Sequence, residues 1–164
     1  MALAVARNIG IKDSKTKKTL ANFKGVPGRL EFVRNLKGVK YYNDTTATTP
    51  EATIAALRAL GEDKNIILIA GGSDKGLDMR VMVKEMERYC KGIFLLSGTG
   101  TETIKTQIKN STEVESLKKA VFLAQKLAVK GEVILLSPAF ASFGMFKNEY
   151  DRGDQYVKIV KGLK

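Results

Sequence analysis

The sequence predicts an α/β fold with three layers, in which a mostly parallel sheet carries helices on both faces and is preceded by an N-terminal β-hairpin. Three short apolar runs lead to this prediction, because each is bounded by turn residues and is rich in the aliphatic side chains of strands buried on both faces. They span 65–70, 93–96 and 133–136. Helical patterns alternate with these runs, an order typical of parallel strands joined by crossover helices.

The first part of the chain predicts two short helices and the hairpin. Residues 1–8 are helix-prone, and Ser14 can cap a basic helix over 15–24. Two β-like runs, 30–33 and 39–42, follow and are separated by a turn that contains Asn and Gly. Because the turn is short, we expect these two runs to pair as an antiparallel hairpin.

Each remaining helix is predicted to follow a strand. Pro50 suits the first position of a helix, and the methionines after residue 78 recur at helical spacing, which is typical of a core-facing stripe. Because helices alternate with strands, the architecture is Rossmann-like, and the polar loops that follow the strands lie at one edge of the sheet. We expect helices from Pro50, from about Asp78, after Gly100 to about Lys109, over 114–129 and over 152–161.

The composition excludes several kinds of chemistry. The 164 residues contain no histidine, which removes histidine acid–base catalysis and histidine metal sites. The one cysteine, Cys90, cannot form an internal disulfide, and we interpret it as a buried thiol at a helix end. No apolar run approaches the roughly 20 residues of a membrane-spanning helix. Any chemistry must therefore rest on carboxylates, lysines, hydroxyls, backbone donors or a bound nucleotide.

The net charge of +11 is concentrated near the N-terminus, since residues 1–48 carry +7 of it. A basic balance is compatible with nucleic-acid binding, and also with an enzyme that handles phosphorylated and carboxylated substrates. No run of Lys or Arg exceeds two residues, and no aromatic-rich strand offers a stacking platform for bases. An enzyme is therefore the favoured interpretation, with nucleic-acid binding as the alternative.

Polar loops follow three of the predicted strands and indicate an anion-binding site. Asp44 and several threonines follow the second hairpin strand, and the glycine-rich loop 71–76 carries Lys75. The loop after the last strand contains Ser142, and Arg152 adds positive charge nearby. Small residues, hydroxyls and cations suit carboxylates and phosphates. The glycine-rich loop has neither a Walker A nor a GxGxxG spacing, so its phosphate signal is weak by itself. For the loop after the last strand, a well-packed strand-to-helix turn is the alternative interpretation.

Four sequence motifs occur in a set order along the chain. They are GVPGRLE at 25–31, YNDTTAT at 42–48, GGSDK at 71–75, and LSPAFASF at 136–143 with FKN at 146–148 and RG at 152–153. Together they resemble the C-terminal domain of the Mur ligase family over nearly the whole chain. The last motif is the most specific, and the resemblance is strongest for the branch of the family that adds D-glutamate.

The resemblance implies a cytoplasmic enzyme of peptidoglycan biosynthesis. Such an enzyme would use ATP and magnesium to join D-glutamate to the alanyl carboxylate of UDP-N-acetylmuramoyl-L-alanine, after that carboxylate is phosphorylated to an acyl phosphate. Its implied partners are these two small-molecule substrates and the preceding ATP-binding and UDP-binding domains, with no nucleic acid and no membrane.

The resemblance also implies roles for single residues, carried over by motif. Lys75 would pair with a carboxylate of D-glutamate and Ser142 would hydrogen-bond it. Arg29 would lie near the phosphates of ATP, and Asp44 would bind the ribose hydroxyls. The implied D-glutamate residues are Thr48, Lys75, Ser142 and Phe143, and the implied nucleotide residues are Arg29 and Asp44.

Some positions depart from the family pattern. Gly28 stands where the family usually has a histidine, Thr46 where a lysine is common, and Glu149 where an aromatic residue is frequent. The family's phosphate loop, magnesium ligands and modified lysine all precede the region that this chain resembles. We therefore expect residues 1–24 to be the tail of the ATP-binding central domain and a linker, and 25–164 to be the amino-acid-binding domain. Catalysis by this chain alone is not expected.

Two alternative functions stay open from the sequence. A sibling ligase that adds another amino acid, or adds glutamate to folate, would share the fold, since fold alone does not determine the substrate. A stand-alone nucleotide-binding or anion-binding module would need no second domain. The SPAFAS and FKN motifs favour the D-glutamate ligase over both.

Overall fold

The computed structural model describes residues 1–164 and contains six strands in one sheet. Most strands begin after a helix and end in a polar loop, as the alternating apolar and polar segments predict. The strands are β1 (Glu31–Leu36), β2 (Val39–Asn43), β3 (Ile66–Gly71), β4 (Cys90–Leu96), β5 (Ser111–Val114) and β6 (Val133–Leu136).

Seven α-helices connect or flank these strands. Pro50 is the first residue of its helix, as predicted, and Thr49 precedes it as the N-cap. The helices are α1 (Ala2–Asn8), α2 (Asp13–Asn22), α3 (Pro50–Leu60), α4 (Arg80–Tyr89), α5 (Thr99–Ile104), α6 (Leu117–Leu127) and α7 (Glu149–Lys161), and a short 3₁₀ helix (Lys105–Gln107) follows α5.

The strand order across the sheet is β1-β2-β6-β3-β4-β5. Strands β1 and β2 pair antiparallel, which confirms the predicted hairpin. All other neighbours are parallel, and β6 lies between β2 and β3, with Leu135 opposite both Tyr42 and Leu68. This order places the carboxyl ends of β2, β6 and β3 side by side, although they are far apart in sequence.

Apolar side chains form a core on each face of the sheet, which confirms the three-layer α/β class. Alternate residues of β3 point to opposite faces, as strand geometry requires, with Leu68 in one core and Ile67 in the other. Helices α3 and α4 cover the first face, where Leu57 and Met82 are fully buried. Helices α6 and α7 cover the second face, where Tyr156 is fully buried.

Several boundaries differ from the sequence expectation; for example, α7 begins at Glu149 rather than at Arg152, and α5 ends at Ile104 rather than near Lys109. The helix expected over 114–129 begins only at Leu117, because Ser111–Val114 forms the edge strand β5. An edge strand pairs on one side only, so its polar residues can face water and it shows no apolar run. Ser14 is not an N-cap, since α2 begins at Asp13 after Lys12.

Cys90 is the first residue of β4 and directly follows α4. The residue is only 3% exposed, and burial raises the pKa of its thiol well above the usual range. The interpretation of a buried thiol at a helix end is thus confirmed. None of the helices has the length and apolar content required of a membrane-spanning segment.

Candidate functional site

Three loops lie together at the carboxyl edge of the sheet. We call them the Asp44 loop (44–49, after β2), the glycine loop (71–76, after β3) and the Ser142 loop (137–148, after β6). The Ala139 N–H donates to the Ala47 carbonyl at 2.9 Å and so joins the first loop to the third. Because backbone bonds link these loops, the residues that they carry are held at fixed separations.

The glycine loop is joined to the Ser142 loop by a short antiparallel bridge. Ser73 and Ala141 exchange two backbone hydrogen bonds of 2.9 and 3.2 Å. Gly72 makes this close approach possible, because its φ is +139° and a Cβ atom would collide with the Ala141 carbonyl oxygen. The glycine-rich sequence is therefore needed for the contact between the two loops.

Lys75 contacts the Asp44 loop directly. Its Nζ atom lies 3.0 Å from Oγ1 of Thr48 and 3.1 Å from the Thr48 carbonyl oxygen. The lysine is exposed and forms no ion pair, so its partners in the structure are neutral oxygen atoms. The ammonium group is therefore free to bind the carboxylate of a ligand at this edge.

Ser142 and Phe143 lie beside the glycine loop but differ in exposure. Ser142 is 4% exposed, and its hydroxyl forms no hydrogen bond within the chain. The Phe143 carbonyl accepts a 2.7 Å hydrogen bond from Oγ of Ser73, whereas the Phe143 residue is 68% exposed. The structure thus places the backbone of both residues at the site and leaves the Phe143 ring in solvent.

Asp44 is nearly buried, and both of its carboxylate oxygens accept hydrogen bonds. Oδ1 accepts from the Leu30 N–H at 2.9 Å and Oδ2 from the Ser137 hydroxyl at 2.8 Å. Burial raises the pKa of Asp44, while these two hydrogen bonds and the charge of Arg29 oppose the increase. No individual role was predicted for Ser137 from the sequence. It ends up beside Asp44 because β6 pairs with β2.

A cavity of about 320 Å³ lies next to Asp44, between the Asp44 loop and α3. This volume is at the lower end of the roughly 300–1,000 Å³ of small-molecule sites. One wall is a face of α3 made only of alanines, and the Arg29 guanidinium and the Asp44 carboxylate lie on the other side. The lining residues are Arg29, Leu30, Asp44, Thr46, Ala47, Ala52, Ala55, Ala56 and Ala59.

Gly28 and Thr46 hold the turn that precedes Arg29. The Gly28 carbonyl accepts from both the backbone N–H and the hydroxyl of Thr46, at 3.1 and 2.8 Å. The Gly28 N–H donates to Oε2 of Glu31 at 2.9 Å. These departures from the family pattern therefore bond to each other, and they keep Arg29 at the mouth of the cavity.

Arg152 was expected to add positive charge near the site. It lies beneath the loops and is bonded to them, and the residue is fully buried. Its guanidinium donates to two atoms of Thr45 and to the carbonyl of Phe140. Arg152 is buried because it lies in the first turn of α7, on the side that packs against the loops.

The chain contains no group of three or more His, Cys, Asp or Glu side chains close enough to hold a metal ion. The magnesium of the expected reaction therefore has no ligand set among these residues, and we assign it no step here.

Residues 28–140 match the family model described as Mur ligase, glutamate ligase domain. The chain is also similar to proteins named UDP-N-acetylmuramoylalanine–D-glutamate ligase. It is 41% identical to the one from Roseiflexus sp. over 99% of this chain and 36% of that protein. It is 42% identical to the one from Clostridium botulinum over 99% of this chain and 37% of that protein. The chain thus spans a little over a third of the length of these relatives.

Solved structures share the fold at low sequence identity. The MurF ligase from Thermotoga maritima, in complex with ADP, superimposes with a TM-score of 0.68 at 22% identity. The match covers 96% of this chain and 35% of that one. This agreement supports the α/β architecture and the order of its elements.

Proposed function

The chain belongs to the Mur ligase family through its glutamate ligase domain, and from this membership we propose that it is the amino-acid-binding part of an ATP-dependent D-glutamate ligase. The observation that carries the proposal is the contact between Lys75 and Thr48, beside the free hydroxyl of Ser142 and next to the Arg29–Asp44 cavity. The lysine and the two hydroxyls thus lie at the same edge of the sheet as a second candidate site, the Arg29–Asp44 cavity. That arrangement suits a dicarboxylic amino acid held next to a nucleotide.

D-Glutamate would bind between the glycine loop and the Ser142 loop. We assign Lys75 to one of its carboxylates, because this lysine has no acidic partner within the chain. Thr48 and Ser142 would donate hydroxyl hydrogen bonds, and Phe143 would shield the bound amino acid from water once its exposed ring has a ligand to cover. The amine would then point towards the neighbouring nucleotide site.

ATP would contact the other side of the Asp44 loop. Arg29 at the mouth of the cavity suits phosphate oxygens, and Asp44 suits the hydroxyls of a ribose. The alanine wall of α3 offers a flat apolar surface beside them. The low exposure of Asp44 keeps its carboxylate out of bulk water, which strengthens a hydrogen bond to a bound hydroxyl.

In the complete reaction, ATP would phosphorylate the alanyl carboxylate of UDP-N-acetylmuramoyl-L-alanine to an acyl phosphate. The amine of D-glutamate would then attack the acyl carbon, forming the amide C–N bond as the C–O bond to phosphate breaks and the nitrogen loses a proton. We propose that residues 1–24 are the tail and linker of the ATP-binding domain. The phosphate loop, the magnesium ligands and the UDP site would belong to domains outside this chain, in a cytoplasmic ligase.

A hybrid ligase tests this proposal. The chain would replace the matching 36% of the Roseiflexus relative, and phosphate release would be measured with UDP-N-acetylmuramoyl-L-alanine, ATP, magnesium and each of several amino acids. We expect activity that requires D-glutamate, and no activity from the 164-residue chain alone. Activity with another amino acid would identify a sibling ligase instead.

A binding titration separates the remaining alternative. If the hybrid is inactive while the chain alone binds ATP tightly, the stand-alone nucleotide-binding module is favoured. Salt-dependent binding to DNA or RNA without any response to D-glutamate would point to a nucleic-acid partner.

A further inference from the structure

Arg152 is a fully buried arginine without an acidic partner. Each of its three nitrogens donates to a neutral oxygen: Nε to Oγ1 of Thr45 at 3.1 Å, Nη2 to the Thr45 carbonyl at 2.8 Å, and Nη1 to the Phe140 carbonyl at 3.4 Å. No carboxylate lies within ion-pair distance, and Glu149 acts on the guanidinium only at longer range. Burial lowers the pKa of Arg152 to about 10, which leaves the group charged at neutral pH.

The burial of a charge without a partner is unfavourable by several kcal/mol unless the surroundings compensate for it. A neutral side chain could fill the same space at lower cost, so the retained arginine needs another reason. The planar guanidinium sends its N–H groups in fixed directions and can bond acceptors on two separate segments at once. Here those segments are the Asp44 loop and the Ser142 loop.

The two acceptor residues adjoin the two proposed binding sites. Thr45 directly follows Asp44 on the nucleotide side, and Phe140 precedes Ser142 by two residues on the amino-acid side. Both acceptor residues are buried, with Thr45 1% and Phe140 0% exposed. Thr45 is held on its other side as well, since its hydroxyl donates to the Glu149 carbonyl at 2.7 Å.

We infer that Arg152 is a positioning residue that holds the Asp44 loop and the Ser142 loop in register, and so sets the separation between the nucleotide side and the amino-acid side of the site. This inference deepens the proposed function and rests on it for the identity of the two ligands. The register itself is a property of the chain and can be measured without them. An anionic ligand at this edge would also offset the buried charge, because an opposite charge would then be near.

The Ala139 N–H reports the register directly, because it donates to the Ala47 carbonyl across the two loops. Hydrogen exchange would be measured by NMR for the 164-residue chain and for Arg152→Lys. Lysine keeps the charge, but its single ammonium group cannot reach all three acceptors. In Arg152→Lys we expect the Ala139 amide to exchange about tenfold faster than in the unsubstituted chain, relative to the amides of β3. The reason is that the loops can open locally without unfolding of the whole chain.

Arg34→Lys is the matched control. Arg34 also donates from a guanidinium to carbonyls, those of Val160 and Lys161 at 3.1 Å and of Leu163 at 3.4 Å, but at the C-terminal end of α7. This variant should leave the exchange of the Ala139 amide unchanged. If Arg152→Lys does not fold, Thr45→Val replaces it, because valine keeps the shape of threonine and removes only the hydroxyl, which accepts from Nε of Arg152 and donates to the Glu149 carbonyl.

Two results would overturn the inference. One is an Ala139 amide whose exchange is unchanged by the substitution; the other is an amide that accelerates only in parallel with those of β3, as a general loss of stability would produce.

The hybrid ligase supplies a kinetic readout. There Arg152→Lys should raise KM for both ATP and D-glutamate about tenfold, and Arg34→Lys should raise neither. Unchanged KM values in an active hybrid would refute the positioning role. Should the unsubstituted hybrid be inactive with D-glutamate, the proposed function fails, and the exchange experiment still decides the role of Arg152.

Discussion

The Nζ atom of Lys75 lies 3.0 Å from Oγ1 of Thr48, although the two residues are on loops that follow non-adjacent strands. Strand β6 lies between those strands, and its loop bonds to both of theirs. The lysine therefore connects the glycine loop to the Asp44 loop. Its role can be separated from that of the nucleotide residues by kinetics.

Lys75→Ala in the hybrid ligase should raise KM for D-glutamate far more than KM for ATP. Loss of a charge-assisted hydrogen bond costs about 1.5–3 kcal/mol, which corresponds to an increase of about tenfold or more. Steady-state phosphate release at varied concentrations of each substrate measures both constants. Lys84→Ala, which removes an exposed and unpaired lysine of α4, is the control, and an unchanged KM for D-glutamate would exclude the proposed role of Lys75.

Asp44→Asn should affect the other ligand. The substitution keeps the size of the side chain and removes its charge, so we expect KM for ATP to rise about tenfold and KM for D-glutamate to change little. The same assay measures both. A rise in KM for D-glutamate alone would reverse the assignment of the two sites.

Ser137→Ala should raise the pKa of Asp44 further. The serine hydroxyl donates to Oδ2 of Asp44, and loss of this bond destabilises the ionised carboxylate. A pH titration of the Asp44 carboxyl carbon by NMR measures the midpoint. Ser116→Ala, at the distant N-terminus of α6, should leave that midpoint in place, and an unshifted midpoint in Ser137→Ala would refute the coupling.

The same substitution should have a pH-dependent effect on stability. The pKa of Asp44 in the folded chain lies above its ordinary value, so ionisation of Asp44 lowers the free energy of unfolding. This loss is full at pH values above the folded pKa and disappears as the pH falls from the folded pKa to the unfolded one. Ser137→Ala should therefore lower the free energy of unfolding by about 1–3 kcal/mol at neutral pH. Urea unfolding should show a smaller difference between the variant and the unsubstituted chain at a pH below the folded and unfolded pKa values of Asp44, where this carboxyl is protonated.

Ser116→Ala and Thr49→Ala should differ in their effect on stability. Both residues are helix N-caps, but only the Ser116 hydroxyl accepts a hydrogen bond, from the Lys119 N–H at 3.3 Å. Loss of such a cap costs about 1 kcal/mol. Urea unfolding should show this loss for Ser116→Ala and a clearly smaller one for Thr49→Ala; equal losses would contradict the assignment of the caps.

Cys90 should be unreactive towards an aromatic disulfide reagent in the folded chain. Burial limits access to the thiol and raises its pKa, so little thiolate is available for attack. In denaturant one equivalent should react, since the chain has one cysteine. Rapid labelling of the folded chain would show that α4 and β4 separate readily.

Local patterns in the sequence predicted which polar loops meet at the edge of the sheet. Lys75 sits on a glycine-rich turn and Asp44 in a polar run, and both directly follow strands. Because the carboxyl ends of parallel strands share one edge, such loops can be assigned to a common site from the sequence. The four alanines of α3 that line the cavity carried no comparable signal, since alanine is common on buried and exposed helix faces alike.

The amino-acid sequence by itself determined which segments are central strands and which loops carry the polar groups, because continuous apolar runs and turn residues are local properties. Tertiary structure decided the rest. The insertion of β6 between β2 and β3 places Ser137 on Asp44, the edge position of β5 allows a polar strand, and the packing of α7 buries Arg152 against Thr45. These features depend on pairing between segments far apart in the chain, whose free energy is gained only when the whole sheet has assembled.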